Sequence, residues 1–182
     1  MIVAQALYLI APAVVAGICH GFAIKRNLAP ALAKPLDGGR LLNGRPMLGA
    51  NKTWRGLFVM SGVSTALVFV QHALDGVPFF DRLAILDYGA PSSLMVGLAL
   101  GLGYSLAELP NSFVKRRLGI RAGQATGRLQ YLADQADSVI GATLALTFFV
   151  RSPAVLALVV VTGLGLHVLM DELLYAFGVK RR

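Results

Sequence analysis

The chain has 182 residues, 56% of them hydrophobic and 14% charged, with a formal net charge of +8. That length fits one domain, and that balance excludes an ordinary water-soluble protein, where about 25% of residues are charged. The single cysteine, Cys19, excludes a disulfide framework and a cysteine-built metal cluster.

Five apolar stretches follow one another, and they predict helices over 2–24, 57–74, 90–109, 134–150 and 153–177. A membrane span needs roughly 20 mostly apolar residues to cross a core of about 30 Å. The expected fold is therefore an all-α integral membrane protein, a single transmembrane domain of five helices over 1–182. The first stretch has no basic residue before it, so it reads as a retained helix and not a signal peptide. The third carries Gly97 and Gly101 at GxxxG spacing, a mark of close helix packing that leaves room for a homodimer.

The fourth stretch poses a question of length. Its apolar part, 138–150, covers only about 20 Å at a rise of about 1.5 Å per residue. Pro153 suits the start of the next helix, so the extension must come from the side of Asp134. Asp134 and Asp137 then lie at i and i+3 on one face, in first turns where the helix dipole favours negative charge.

Fifteen of the seventeen Lys and Arg residues fall on alternate connections. One group runs from Lys25 to Arg55, a second from Lys115 to Arg128, and a third is Lys180, Arg181 and Arg182; the opposite face holds only Arg82 and Arg151. The positive-inside rule then puts the N-terminus outside, the C-terminus in the cytoplasm, and two long basic loops on the cytoplasmic face. The connection 75–89, with Asp75, Asp81 and Asp87, is expected to be external.

Chemistry-bearing residues gather on the basic side. Asp134 and Asp137 suit a hard divalent cation, which takes oxygen ligands. Asn51, Lys52, Thr53 and Arg55 stand just before the second stretch, and Ser112, Lys115, Arg116 and Arg117 just after the third. Either cluster alone reads equally as an anchor on anionic headgroups, and Trp54 as an interfacial residue. Together with the acid pair they suit a polyphosphate bound through a metal. Asp37, Asp171, Glu172, His20, His72 and His167 are read as structural. No Walker A loop, GxGxxG, HExxH or GxSxG occurs, which leaves soluble nucleotide folds and common hydrolases without support.

Three segments, LLNGRPMLGANKTWRG (41–56), SFVKRRLGIRAG (112–123) and DQADSVIGA (134–142), carry a family resemblance in this order. The chain resembles the CDP-archaeol synthases, membrane CTP transferases distantly related to the phosphatidate cytidylyltransferases. The resemblance implies a magnesium-dependent cytidylyltransferase that converts CTP and a lipid phosphate into a CDP-lipid and pyrophosphate at the cytoplasmic face of the cell membrane. Asp134 and Asp137 would hold Mg2+ with Glu108, and act in catalysis with Lys115. Arg116 and Arg117, with Ser112, would meet the triphosphate or lipid phosphate. Asn51, Lys52, Thr53 and Arg55 would complete the pocket. Implied partners are CTP, a phosphatidate-like or archaetidic-acid-like lipid and the bilayer, with no nucleic acid.

The chain departs from the family pattern at two places. Ala107-Glu108 stands where Gly-Asp is usual, and Asn111 where a lysine precedes Ser-Phe. Leu109 and Pro110 are expected to set a stiff step between the third helix and the basic loop. These departures support a second reading, a catalytically drifted accessory protein that binds lipid or nucleotide on the same scaffold. A transporter is disfavoured, since the acids gather at one membrane face.

Overall fold

The computed structural model describes residues 1–86, 89–124 and 126–178. Asp87 and the basic trio Lys180, Arg181 and Arg182 lie outside the described residues. Helix α1 (Ile2–Lys25) leads through a turn at Pro30–Leu32 to a small hairpin of β1 (Leu41–Leu42) and β2 (Arg45–Pro46). There follow α2 (Trp54–Ala73), a single turn α3 (Pro78–Asp81), α4 (Ala90–Arg117), α5 (Arg128–Leu146) and α6 (Pro153–Ala176).

Local chemistry sets several of these ends. The Thr53 hydroxyl accepts from the Gly56 amide at 3.3 Å and caps α2, which therefore starts three residues before the apolar run that foretells it. Ser152 caps α6 in the same way, with Pro153 at the first helical position. The sharpest correction concerns α4. The stiff step expected at Pro110 is absent, and the helix continues through this proline to Arg117. Proline removes one backbone donor, a loss that packed neighbours compensate in membrane helices. Here α5 and the hairpin both grip the last turns of α4 through Asn111, Lys115 and Arg117. The final turn, Lys115 to Arg117, also places positive charge on the negative end of the helix dipole.

Helix α5 departs at both ends. It opens after Gly127, whose φ of +85° suits glycine, and closes at Leu146. Asp134 and Asp137 consequently lie beyond the first turn, where the pull of the helix dipole has faded.

The five long helices close into a ring in the order α2, α4, α5, α6, α1, with α1 also touching α4. Small residues allow the close approaches. A Cβ on Gly97 would fall 2.3 Å from Thr65 Cα, and one on Gly101 would fall 2.4 Å from Ser61 Cα, so α2 of the same chain occupies the GxxxG face read as room for a dimer. Gly103 and Gly141 bring α4 and α5 together equally tightly. The core is built from Leu9, Ile10 and Ala13 of α1, Val68 of α2, Val96 and Leu100 of α4, Leu146 of α5, and Val155 and Val159 of α6. Large apolar side chains such as Phe58, Phe69, Met95, Phe148 and Val161 point outward instead, a lipid-facing pattern.

Among the described residues four helices are long and apolar enough to cross a membrane: α1, α2, α4 from Pro91 and α6 to Leu173. Helix α5 is not among them, because its first half carries Arg128, Gln130, Asp134, Gln135 and Asp137 and only 138–146 is apolar.

Candidate active site

Because α4 runs unbroken past Pro110, Glu108, Asn111, Ser112 and Lys115 recur at helical spacing and share one face. Tyr131, Asp134 and Gln135 do the same on α5. The two faces meet, and with Asn51 and Lys52 before α2, Gly123 and Gln124 after α4, and His167 and Asp171 on α6, they enclose a cavity of about 850 Å³.

The polar contacts across this cavity form one connected network. Lys115, with its side chain only 8% exposed, donates to Asp134 at 2.6 Å. Asn111 Nδ2 donates to Asp134 Oδ1 and to Asp137 Oδ2, each at 2.8 Å. The Ser138 hydroxyl lies 2.7 Å from Glu108 Oε1 and 3.0 Å from Asp137 Oδ1, and its backbone N–H donates to that same Asp137 oxygen at 2.6 Å. Glu108 forms an ion pair with Lys52. Buried charges persist only when paired or hydrogen-bonded, and each of these carboxylates is.

On the far wall, His167 Nδ1 faces the Gln135 carbonyl at 2.9 Å and can only donate there, and its Nε2 meets the Tyr104 hydroxyl at 2.9 Å. This contact ties α6 to α4 and α5, the structural hydrogen-bonding role expected of His167.

The residues named from sequence divide into two groups. Asn51, Lys52, Glu108, Ser112, Lys115, Arg116, Asp134 and Asp137 all line the cavity. Arg116 also donates to the Arg121 carbonyl at 3.0 Å, and a Cβ on Gly49 would lie 2.8 Å from its Nη1. Thr53, Arg55 and Arg117 do not line it. Thr53 is spent on its cap, and Arg55 donates to Asn27 and to the Leu28 carbonyl at 3.2 Å. Arg117 donates to the carbonyls of Leu42, Arg45 and Pro46, its guanidinium lies over the Phe113 ring, and Arg45 returns a bond to the Arg117 carbonyl. Guanidinium groups so engaged secure loops onto helix ends. Trp54, the first residue of α2, stacks on Phe58 one turn further along the same helix.

Gln130 and Ser138 join the network without having been named from sequence, and Asn111 enters it as a direct partner of both aspartates. Their signal lay in helical spacing, Gln130 one turn before Asp134 and Ser138 one turn after it.

The expected trio of metal ligands is not assembled: among the described residues no three His, Cys, Asp or Glu side chains gather as an ion site. Lys52 has taken Glu108. What remains fits magnesium nonetheless, since that ion is ordinarily held by one or two carboxylates together with waters and substrate phosphates. Asp134 and Asp137 converge on a single nitrogen, that of Asn111, and so present oxygen ligands to one point.

The family model described as CarS-like CDP-archaeol synthase matches residues 1–182. The CDP-archaeol synthase of Halobacterium salinarum is 37% identical over 166 residues, covering 85% of this chain and 87% of that protein. The CDP-archaeol synthase of Methanosarcina mazei is 35% identical over 164 residues, covering 81% and 89%. A solved structure described as an intramembrane enzyme for archaeal membrane lipids biosynthesis superposes with a TM-score of 0.61 at 27% identity, over 92% of each chain. With four apolar helices, the protein is a multi-pass integral membrane protein. The chain belongs to the CarS-like CDP-archaeol synthase family.

Proposed function

We propose that this protein transfers the cytidylyl group of CTP to a lipid phosphate of the archaeol type, releasing pyrophosphate. One observation carries the reading: a cavity of about 850 Å³ in which the acid pair of α5 faces Lys115 and Arg116 of α4. That volume lies within the roughly 300–1,000 Å³ typical of small-molecule sites. Apart from neutralising phosphate charge, the reaction asks little covalent chemistry of the protein.

An oxygen of the lipid phosphate attacks the α-phosphorus in line. The bond from that phosphorus to the α–β bridging oxygen breaks, and the oxygen leaves on pyrophosphate with the electron pair. The attacking phosphate is already anionic, so no side chain need remove a proton from it. Lys115 and Arg116 offer positive charge to the oxygens on which negative charge grows, and Asp134 and the Arg121 carbonyl already hold them in position. Asn51 and Ser112 add neutral donors that orient the phosphates. Magnesium, held by Asp134 and Asp137, would supply neutralisation of the triphosphate.

For the membrane, α5 is proposed as the fifth crossing, with the N-terminus outside and the cavity facing the cytoplasm. Lys25 at the end of α1 donates to the Phe177 carbonyl after α6, and Lys52 reaches Glu108, so the basic connections gather at one end of the ring.

Labelled CTP offered to purified protein in detergent tests the reading, with an isoprenoid ether lipid phosphate, a diacyl phosphatidate or no lipid as acceptor. Label is expected in the ether lipid, dependent on magnesium and removed by a chelator. Tight CTP binding with no labelled lipid from any acceptor would leave only the accessory-protein reading. Gly49→Ala is expected to weaken CTP binding about tenfold in the same preparation, through backbone strain and displacement of Arg116. Gly49 has a φ of +103°, and its new Cβ would meet the guanidinium at 2.8 Å.

A further inference from the structure

Asn111 occupies the point between two carboxylates where a counter-charge belongs, and it brings none. Both hydrogens of its amide nitrogen are used, one on Asp134 and one on Asp137. Its carbonyl oxygen accepts from Gln130 Nε2 at 2.9 Å, and that same Gln130 nitrogen reaches Asp134 Oδ1 at 3.1 Å. Chemistry dictates this orientation. Turned over, Asn111 would set its oxygen against two carboxylate oxygens and its NH2 against the NH2 of Gln130.

The surrounding charges are unevenly shared. Asp134 has Lys115, and Glu108 has Lys52. Asp137 receives only the Asn111 amide and the N–H and hydroxyl of Ser138, all neutral, and no cation pairs with it among the described residues. The two aspartates are thus drawn onto one point, Asp134 with Lys115 on its other oxygen and Asp137 with its charge unpaired among the described residues.

We propose that Asn111, oriented by Gln130, is a positioning residue that sets the divalent-cation affinity of the Asp134–Asp137 pair. It preorganises the carboxylates around one position and yields that position by giving up two neutral donors. An ammonium group there would hold the carboxylates equally well but would compete with the ion. The inference rests on the reading of this pair as the metal-holding group.

The test measures Mn2+ binding to nucleotide-free protein in detergent, by the electron paramagnetic resonance signal of the free ion, alongside the thermal midpoint in chelator. Asn111→Lys is expected to bind Mn2+ at least about tenfold more weakly while its midpoint in chelator holds or rises, since the new charge pairs with both carboxylates. Asn111→Ala and Gln130→Ala are expected to weaken binding by about three- to tenfold. A merely structural Asn111 would lower the midpoint in Asn111→Lys and leave the affinity of the folded fraction unchanged. Affinities within twofold of the parent in both Asn111 variants overturn the inference. Asp137→Asn separates the two levels: if it too keeps full affinity, the metal reading of the pair falls; if it alone loses binding, only the role of Asn111 does.

Discussion

Asp137→Asn is expected to lower CDP-lipid formation by about 100-fold or more while the protein elutes and melts as the parent does. The substitution preserves shape and one oxygen but removes the charge of the one network carboxylate whose partners are all neutral. Among the described residues Glu108 is paired with Lys52 and Asp134 shares its charge with Lys115, so Asp137 brings the carboxylate charge that no cation pairs. Asp134→Asn differs in an informative way. It also strands Lys115, whose side chain is nearly buried, so it is expected to cost stability as well as turnover. Initial rates at saturating CTP, with the thermal midpoint of each variant, separate the two cases. Turnover within threefold of the parent in a folded Asp137→Asn protein would remove Asp137 from the mechanism.

Gly141→Ala is expected to destabilise the protein by about 1–3 kcal/mol through overpacking. The added methyl would stand 2.1 Å from Ala107 Cβ and 2.3 Å from the Gly103 carbonyl oxygen, and the second of these is backbone that cannot turn aside. Relief requires α5 to move from α4, which would pull Ser138 from Glu108 and Asp137 from Asn111, so activity should fall with stability. Adding Ala107→Gly should restore part of the loss, since it removes one clash and leaves the other. Gly62 and Gly165 supply the contrast. Neither has an atom within 4 Å of a built Cβ, and alanine at either is expected to leave the melting midpoint unchanged or slightly raised. Equal midpoints for Gly141→Ala and Gly62→Ala in detergent would show that the α4–α5 contact is not the close one described.

Much of the site was legible in the chain because helix spacing is local information. Asp134 and Asp137 share a face at i and i+3 wherever their helix begins, and Lys115 and Arg116 follow the third span in any register. Pro110 obscured the rest. Read as a break, it separates Glu108 from Asn111 and Lys115; read as part of one helix, it lines them up over two turns. The proline itself is ambiguous, and the partners that grip α4 beyond it are on α5 and the hairpin.

The three basic or hydroxyl side chains that miss the cavity teach a related lesson. Thr53, Arg55 and Arg117 carry the right chemistry for phosphate, but each is nearer to an unsatisfied backbone group: the first amides of α2, the Leu28 carbonyl and the hairpin carbonyls. An arginine has five donors and takes whatever acceptors the fold brings.

By itself the sequence determined the membrane character, the apolar runs of four spanning helices and the three segments that mark the family, because hydropathy and motif order are properties of consecutive residues. Only the tertiary structure decided that Glu108 belongs to Lys52, that Arg117 clasps a hairpin and that Asn111 joins two aspartates. Those pairings link residues from 23 to 75 positions apart. They depend on small residues such as Gly101 and Gly141 letting helix backbones meet, and no local pattern of charge or hydropathy records which helices do so.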